Sequence, residues 1–270
     1  MSPIRRRWQP TPAIQIFFLL LIICSGITLW QPTLWPWTLG IVLAYRFFLV
    51  IIALIPRSTL LGPNLIKLPQ AAIQRKEVAI TIDDGPNPKI TPQVLDILDQ
   101  YQAKATFFCI GQKAEQHPEL CQEIVRRGHE IGNHTYTHHW FFSLFGPKRM
   151  QQEIQCAQHT IAQASGQTPV FFRPTAGLRN PELEWVLSRC GMHLSNWSVR
   201  GFDTRISDPK QILQRLTQKL QAGDIFLLHD NNVAYTTQGE AVICAVLPLL
   251  LDHIKAQQLH SVTLSQAHIV

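Results

Sequence analysis

The sequence predicts an α/β protein in which helices cover a parallel sheet, preceded by a membrane-inserted helical hairpin. Three observations support this fold class. In residues 77–270, predicted to form one domain, short apolar runs alternate with amphipathic segments, as strand and helix units of a parallel sheet do. These runs are continuously apolar, as strands buried on both faces require. Two long apolar stretches lie before this domain.

Length and composition fit one sizeable domain with an appendage. The chain has 270 residues, a formal net charge of +6 and 46% hydrophobic residues, which argues against disorder. The basic residues are scattered and form no patch interleaved with aromatic residues, so nucleic acid is not an expected partner. The six cysteines show no CxxC spacing, which indicates neither a disulfide framework nor a zinc knuckle. Five of them follow the apolar N-terminus, and this odd number favours a reducing compartment.

Residues 13–56 are predicted to anchor the protein in the lipid bilayer of a cell membrane. Ala13–Trp30 is uncharged and about long enough to span, since a bilayer needs roughly 20 apolar residues. Thr38–Ile55 is similar but carries Arg46 near its centre, at an insertion cost of roughly 2.5 to 3.5 kcal/mol. The alternatives are a pair of buried core helices and a cleavable signal peptide, for which no A-x-A type site precedes the second stretch.

Positive charge flanks this anchor on both sides, in a basic tail (residues 1–12) and in a predicted linker (residues 57–76). The flanking basic residues are Arg5, Arg6, Arg7, Arg57, Lys67, Arg75 and Lys76. Because positive charge favours the cytoplasmic side, both ends of the hairpin and the domain are expected there. If only the first stretch spans, the domain is extracytoplasmic.

Polar residues end the predicted strands. Asp83 and Asp84 end the first, Arg173 ends "VFFR", Trp197 ends "HLSNW" and His229 ends "DIFLLH". Loops at the carboxyl ends of parallel strands build active sites, so we expect these side chains to share one rim. Six or seven such units can close into a barrel. A doubly wound open sheet is the alternative, although no GxGxxG fingerprint supports it.

The stretch "HTYTH" carries His134 and His138 at a spacing of four. If the chain turns helically after Asn133, both imidazoles project from one face and can bind one metal ion. Two imidazoles and one carboxylate leave positions for water and substrate, as a hydrolytic metal site requires. Two hydrogen-bonded surface histidines are the alternative. The spacing resembles the HExxH of metallopeptidases, but Thr135 replaces its Glu, so a general base must come from elsewhere.

Two adjacent aspartates in "AITIDDGPNP" offer that base. Neighbouring carboxylates can divide the work, one holding a cation while the other moves protons. The alternative is a turn that ends a strand, since Asp and Gly-Pro both favour turns.

Taken together, these motifs resemble the polysaccharide deacetylases, the NodB-homology or carbohydrate esterase family 4 enzymes. "TIDDGP" (81–86) is similar to their TFDDGP, "HTYTH" (134–138) to H-[ST]-x-x-H, "RPTAG" (173–177) to RPPYG and "LLH" (227–229) to L-x-H. The motifs occur in order from about Val78 to the C-terminus. The resemblance implies a distorted (β/α) barrel and metal-dependent removal of an N-acyl group, acetyl or formyl, from an amino sugar of a glycan or lipid-linked glycan.

Resemblance and residue chemistry together assign the metal and the base. Asp84, His134 and His138 would hold a divalent metal ion, with zinc as the first candidate. Asp83 would take a proton from the attacking water, and Arg173 beside it would favour the charged carboxylate.

The same reasoning assigns the acid and the substrate contacts. His229 would protonate the leaving amine, with Asp203 orienting its ring. The backbone N–H of Ala176 would meet the oxyanion, Leu227 would help line the acyl pocket, and Trp197 would belong to the substrate site.

Three departures from the family pattern stand out. Ile82 replaces a Phe, and Thr175 and Ala176 replace Pro-Tyr. In "WSVRGFD", Arg200 replaces the first Asp of the family's W-x-V-D-x-x-D, although Asp203 is kept. The resemblance is therefore weakest for substrate recognition near Arg200.

Other functions are possible for such a site. An inactive carbohydrate-binding or membrane scaffold protein could keep the fold, and a metallophosphatase or peptidase would use a similar ion. The absence of GxSxG disfavours a serine esterase. A cytoplasmic domain at the bilayer would meet lipid-linked or newly made glycan precursors, whereas an extracytoplasmic one would meet exported polysaccharide.

Overall fold

The computed structural model describes residues 7–268 and shows an N-terminal helical hairpin followed by an α/β domain; Arg5 and Arg6 of the basic tail lie outside the described residues. The strands are β1 Glu77–Asp83, β2 Ala105–Cys109, β3 Glu130–Asn133, β4 Phe171–Phe172, β5 His193–Leu194, β6 Val199–Arg200, β7 Ile225–His229 and β8 His260–Ser261. The helices are α1 Pro12–Trp30, α2 Trp35–Ala53, α3 Gln70–Gln74, α4 Thr91–Gln100, α5 Gly111–Gln116, α6 Pro118–Arg126, α7 Pro147–Ser165, α8 Leu183–Cys190, α9 Pro209–Thr217, α10 Val242–Ala256 and α11 Leu264–Ala267.

The sheet is a curved, parallel half-barrel. Its strand order is β5-β4-β3-β2-β1-β7-β6, with β8 beside the start of β1, and each of these pairings is parallel. Within residues 7–268, β5 and β6 do not pair with each other, so the barrel is not closed by strand hydrogen bonds. The predicted α/β class and distorted barrel are confirmed, and the doubly wound alternative is wrong because a single sheet curves around one interior.

Strand burial explains the continuous apolar runs. In β1, Val78, Ile80 and Ile82 pack into the main core, while Ala79 packs into a second cluster on the other face of the sheet. Helices therefore cover one face, and the barrel interior occupies the other. With both faces buried, the polar residues are confined to the strand ends.

A segment within the predicted linker lies along the open side of the barrel. The Leu65 N–H donates to the Leu194 carbonyl at 3.0 Å, and the Asn196 N–H donates to the Leu65 carbonyl at 2.9 Å. The Leu68 N–H donates to the Gly223 carbonyl, just before β7, at 2.8 Å. We call residues 65–68 the seam segment, because it connects the β5 edge to the start of β7.

The helical stretches Pro12–Trp30 and Pro32–Ala53, which contain α1 and α2, are both long and apolar enough to cross a membrane, and only 11% and 22% of their most apolar parts are buried. This low burial disfavours the alternative of two core helices. Arg46, which was predicted near the centre of a span, lies in the second half of α2 and pairs with Glu182 of the α/β domain at 2.7 Å. The backbone N–H of Arg179 donates to the Ala53 carbonyl at 3.2 Å, so the end of α2 contacts the domain.

Candidate active site

The predicted rim residues meet in one cavity of about 410 Å³ at the carboxyl end of the sheet. Register explains part of this convergence, because Asp83 on β1 pairs with His229 on β7. Eight of the ten predicted site residues line the cavity: Asp83, Asp84, His134, His138, Ala176, Trp197, Leu227 and His229. The other two, Arg173 and Asp203, lie fully buried behind this lining, and each bonds to a lining residue.

Asp84, His134 and His138 form a cluster that fits a metal ion. The Asp84 Oδ1 atom lies 3.4 Å from His134 Nε2 and 3.1 Å from His138 Nε2, and the three ligand atoms lie within 4.8 Å of one another. Ligands about 2.0 to 2.2 Å from one cation in tetrahedral or octahedral geometry lie roughly 3 to 3.5 Å apart. The donor set and its spacing therefore suit a divalent transition metal.

Irregular backbone, and not a helix, brings the two imidazoles together. Thr135 and His138 have left-handed φ angles of 64° and 53°. The Thr135 N–H donates to the Asn133 side chain at 2.9 Å, and the His138 N–H donates to the Thr135 hydroxyl at 3.0 Å. The predicted helical turn after Asn133 is wrong, because these local side-chain bonds replace helical hydrogen bonds.

The metal cluster is supported by groups around it. His134 Nδ1 donates to the Arg173 carbonyl at 2.7 Å, which leaves Nε2 free to face the cavity. Lys113 Nζ donates to the Asp84 carbonyl at 2.7 Å, and Asn232 Nδ2 donates to Asp84 Oδ2 at 3.3 Å. Burial opposes the charged form of Asp84, but hydrogen bonds from His134 and His138 outweigh it and hold its pKa well below the ordinary value.

Asp83 forms a buried ion pair with Arg173. The Arg173 Nη1 atom lies 2.6 Å from Asp83 Oδ1 and also donates to the Thr81 hydroxyl at 2.8 Å. Its Nε and Nη2 donate to the carbonyls of Ser195 and Asn196 at 3.0 and 2.9 Å. Four protein acceptors thus compensate for the loss of water around the guanidinium, although burial lowers the Arg173 pKa. Asp83 is thereby held in one orientation, with its other oxygen 3.8 Å from His134 Nε2.

His229 forms a second buried pair with Asp203. Its Nδ1 lies 2.9 Å from Asp203 Oδ1, while its backbone N–H donates to Asp203 Oδ2 at 2.7 Å. Burial alone would lower the His229 pKa, but the Asp203 carboxylate outweighs burial and raises it to about 9. The ring is therefore protonated at neutral pH, as a general acid must be.

The "RPTAG" loop contributes Ala176 to the cavity through a tight turn. Ala176 and Gly177 have left-handed φ angles of 55° and 71°. A Cβ atom at position 177 would lie 2.5 Å from the Trp197 ring, so only glycine fits there. This turn places Ala176 in the lining of the cavity, to which Trp197 and Leu227 also contribute.

Several cavity residues were not predicted from the sequence. Trp140, Thr204, Arg205 and Asn232 line the same cavity as the metal cluster. Each lies within a few residues of a recognised motif: Trp140 follows His138, and Asn232 follows His229. That proximity was a usable signal, but which of the loop side chains turn inward depends on tertiary contacts.

A triad that could hold a metal ion, an Asp–Arg pair and a His–Asp pair lie together at the carboxyl end of a parallel half-barrel, an arrangement that suits a hydrolase. Residues 71–195 match the model of the family described as polysaccharide deacetylase. The chain belongs to this family.

Similar proteins extend the match beyond those residues. The chain is 33% identical over 193 residues to a peptidoglycan-N-acetylglucosamine deacetylase of Bacillus cereus, covering 71% of this chain and 87% of the relative. It is 30% identical to a chitooligosaccharide deacetylase of Sinorhizobium fredii, covering 68% and 90%. The structure of a family 4 carbohydrate esterase from Streptomyces lividans in complex with acetate superimposes with a TM-score of 0.63, at 32% identity over 69% and 91%.

Proposed function

We propose that the protein is a membrane-anchored, metal-dependent carbohydrate N-deacetylase that removes an acetyl or formyl group from an amino sugar of a glycan or lipid-linked glycan. The observation that carries this proposal is the meeting of the triad with Asp83 and His229 in one cavity. The two similar enzymes are named for deacetylation of peptidoglycan N-acetylglucosamine and of chitooligosaccharides. An N-acylated amino sugar is the substrate class that these names share.

The side chains divide the reaction between them. Asp84, His134 and His138 would hold a divalent cation, for which two imidazoles and a carboxylate make zinc the first candidate. Such a cation supplies Lewis-acid activation of the water and the acyl carbonyl. Asp83, fixed by Arg173, takes the proton of the attacking water.

Other residues of the same cavity serve the leaving group and the acyl group. His229, held by Asp203, gives its proton to the departing amine, which is otherwise a poor leaving group. The Ala176 N–H meets the developing oxyanion, while Leu227 and Trp197 border the acyl group. An inactive carbohydrate-binding or scaffold protein is disfavoured because every group needed for proton transfer is present and paired.

A direct test uses the purified full-length protein in detergent with Zn²⁺ and N-acetylated chitooligosaccharides or peptidoglycan fragments. We expect acetate release that a chelator abolishes and added metal restores.

Asp84→Ala should lose bound metal, whereas Asp83→Asn should keep the metal and be inactive. Asp96→Asn is the control, since Asp96 is 61% exposed and pairs with Arg127 on the surface. Equal metal loss at positions 83 and 84 would contradict the division of labour, and glycan binding without acyl release would indicate a scaffold.

Exposed apolar residues support a position at the bilayer. Trp140 borders the catalytic cavity and is 78% exposed, and Phe141 and Leu144 nearby are also exposed. Leu144 lines a second cavity together with Val50 and Leu54, at the end of α2. Exposed apolar side chains therefore occur both beside the catalytic cavity and beside the end of α2, and Trp is the residue type enriched at membrane interfaces.

The sidedness follows from charge and is tested separately. With Arg57, Lys67, Arg75 and Lys76 after the hairpin, we place the domain in the cytoplasm, where a lipid-linked or newly made glycan precursor is the substrate. Reporters fused after Lys76, one fluorescent only in the cytoplasm and one active only outside, distinguish the two cases. An active external reporter would overturn this orientation and favour exported polysaccharide.

A further inference from the structure

The cavity contains more positive charge than its own carboxylates require. Arg173 already neutralises Asp83, and His229 is paired with Asp203. The third carboxylate, Asp84, faces two imidazoles that would share a cation with it. Two further guanidinium groups, those of Arg200 and Arg205, line the same cavity. Among residues 7–268, neither forms an ion pair with a carboxylate.

Arg200 is held in place by aromatic rings and not by an acceptor. Its guanidinium carbon lies 4.9 Å from the Phe202 ring centre and 5.6 Å from that of Trp197. Its Nε atom is buried without a hydrogen-bond partner in the described chain. Phe202 adopts a left-handed φ of 64°, a strained conformation for a bulky residue. The turn thus orients a cation toward the cavity while leaving its hydrogen-bond donors free.

We propose that Arg200 and Arg205 form a subsite for an oxyanion of the substrate, a phosphate or a carboxylate carried by the amino sugar. This inference rests on the proposed function, because it names a feature of the molecule that the same cavity deacylates. Guanidinium groups bind phosphate and carboxylate through paired, charge-assisted hydrogen bonds. The replacement of the family's Asp by Arg200 reverses the charge at this position, from one that repels anions to one that attracts them.

Binding measured without turnover tests the subsite directly. Three soluble disaccharides serve as probes: neutral diacetylchitobiose, its 1-phosphate, and a disaccharide in which one N-acetylated sugar carries a carboxylate. On full-length, zinc-loaded Asp83→Asn protein, calorimetry should show at least one anionic probe binding about tenfold tighter than the neutral one. Preference for the phosphate or for the carboxylate identifies the source of the oxyanion. Equal affinity for all three probes would overturn the proposal.

Substitutions then assign the preference to residues. In the same background, Arg200→Gln should reduce the ratio of anionic-probe to neutral-probe affinity about tenfold. Arg205→Gln should reduce this ratio by a smaller factor, and Arg200→Lys should retain part of it. Arg215→Gln is the matched control, because Arg215 also contacts the Phe202 ring, at 5.6 Å, but does not line the cavity. Equal weakening of neutral and anionic probes by Arg200→Gln would contradict the subsite and indicate a positioning role.

Kinetics separate this inference from the proposed function. With Asp83 restored, Arg200→Gln should raise KM for the anionic probe by a larger factor than KM for the neutral probe. A shifted pH profile on the neutral probe would instead show that Arg200 acts through Asp203 and His229. If no probe is deacylated but the anionic preference and its loss in Arg200→Gln persist, the proposed function fails while the subsite stands.

Discussion

The catalytic cavity has two walls of opposite character. Side chains of the buried wall are almost inaccessible to solvent, and each has a charged partner: Asp83, Asp84, His134, Arg173, Asp203 and His229. The open wall consists of Trp140, Arg200 and Arg205, and none of these three has an ionic partner among residues 7–268. Under the proposed function, the fold itself would position the groups that react, while recognition would depend on groups that a substrate or a membrane completes.

Breaking the buried wall should have the largest effect. Arg173→Met leaves Asp83 buried without its partner and removes four hydrogen bonds, so we expect the free energy of unfolding to fall by about 3 to 5 kcal/mol and activity to be lost. Denaturant unfolding followed by circular dichroism measures this loss. Arg126→Gln, at an exposed arginine paired with Glu123, should change little. Comparable unfolding curves for both variants would show that the buried pair is unimportant for stability.

Removing the acid should reduce the rate without unfolding the protein. His229→Ala is expected to lower kcat by about 10² to 10⁴, the usual contribution of a positioned general acid. Bound metal should remain, because His229 is outside the metal cluster. Acetate release and metal content measured on one preparation check both statements, and full activity in this variant would exclude His229 from the mechanism.

The pH profile should show which form of His229 is active. Because Asp203 raises the His229 pKa to about 9, the ring is protonated below that pH, and activity should fall as pH rises through it. A cation at Asp84 opposes this protonation, which places the alkaline limb at or below pH 9. Asp203→Asn should move the limb down by at least one pH unit. A limb that stays in place in this variant would contradict the assignment.

Removing Trp140 from the open wall should have the smallest effect, and only in the presence of membrane. Trp140→Ala should raise KM less than tenfold for an amino sugar carried in lipid vesicles, leaving kcat and soluble substrates unaffected. Tyr235→Ala is the control, since Tyr235 is 58% exposed and does not line the cavity. Equal effects of Trp140→Ala on vesicle-borne and soluble substrates would assign this residue to sugar contact and not to the bilayer.

The buried wall was largely predictable from the sequence, and the open wall was not. Strand ends in a parallel sheet share one edge, so residues such as Asp83 and His229 were expected to meet although they are far apart in the chain. The HTYTH turn escaped prediction in detail because it depends on left-handed residues stabilised by the Asn133 side chain. Arg205 and Trp140 lie on loops, where local pattern does not show which side chains turn inward.

Long-range pairing limited the prediction of the N-terminal region. Arg46 was expected to raise the free energy of membrane insertion because it was treated as unpaired. Its partner, Glu182, is distant in sequence and could not be identified. Likewise, the seam segment resembles a linker in composition, and its bonds to Leu194 and Gly223 depend on strands that form far along the chain. Neither set of contacts can be recognised from the residues that are adjacent in the sequence.

The seam segment also lies close in sequence to the end of α2, which limits the distance between the cavity and the hairpin. Only residues 54–64 separate the end of α2 from the seam segment, and Arg179 bonds to both the Ala53 and the Ser58 carbonyls. With α1 and α2 in a bilayer, so short and well-bonded a tether keeps the cavity at nearly one height above the lipid surface. Under the proposed function, a membrane-borne substrate would then be accepted or rejected by the distance between its lipid and its acylated sugar.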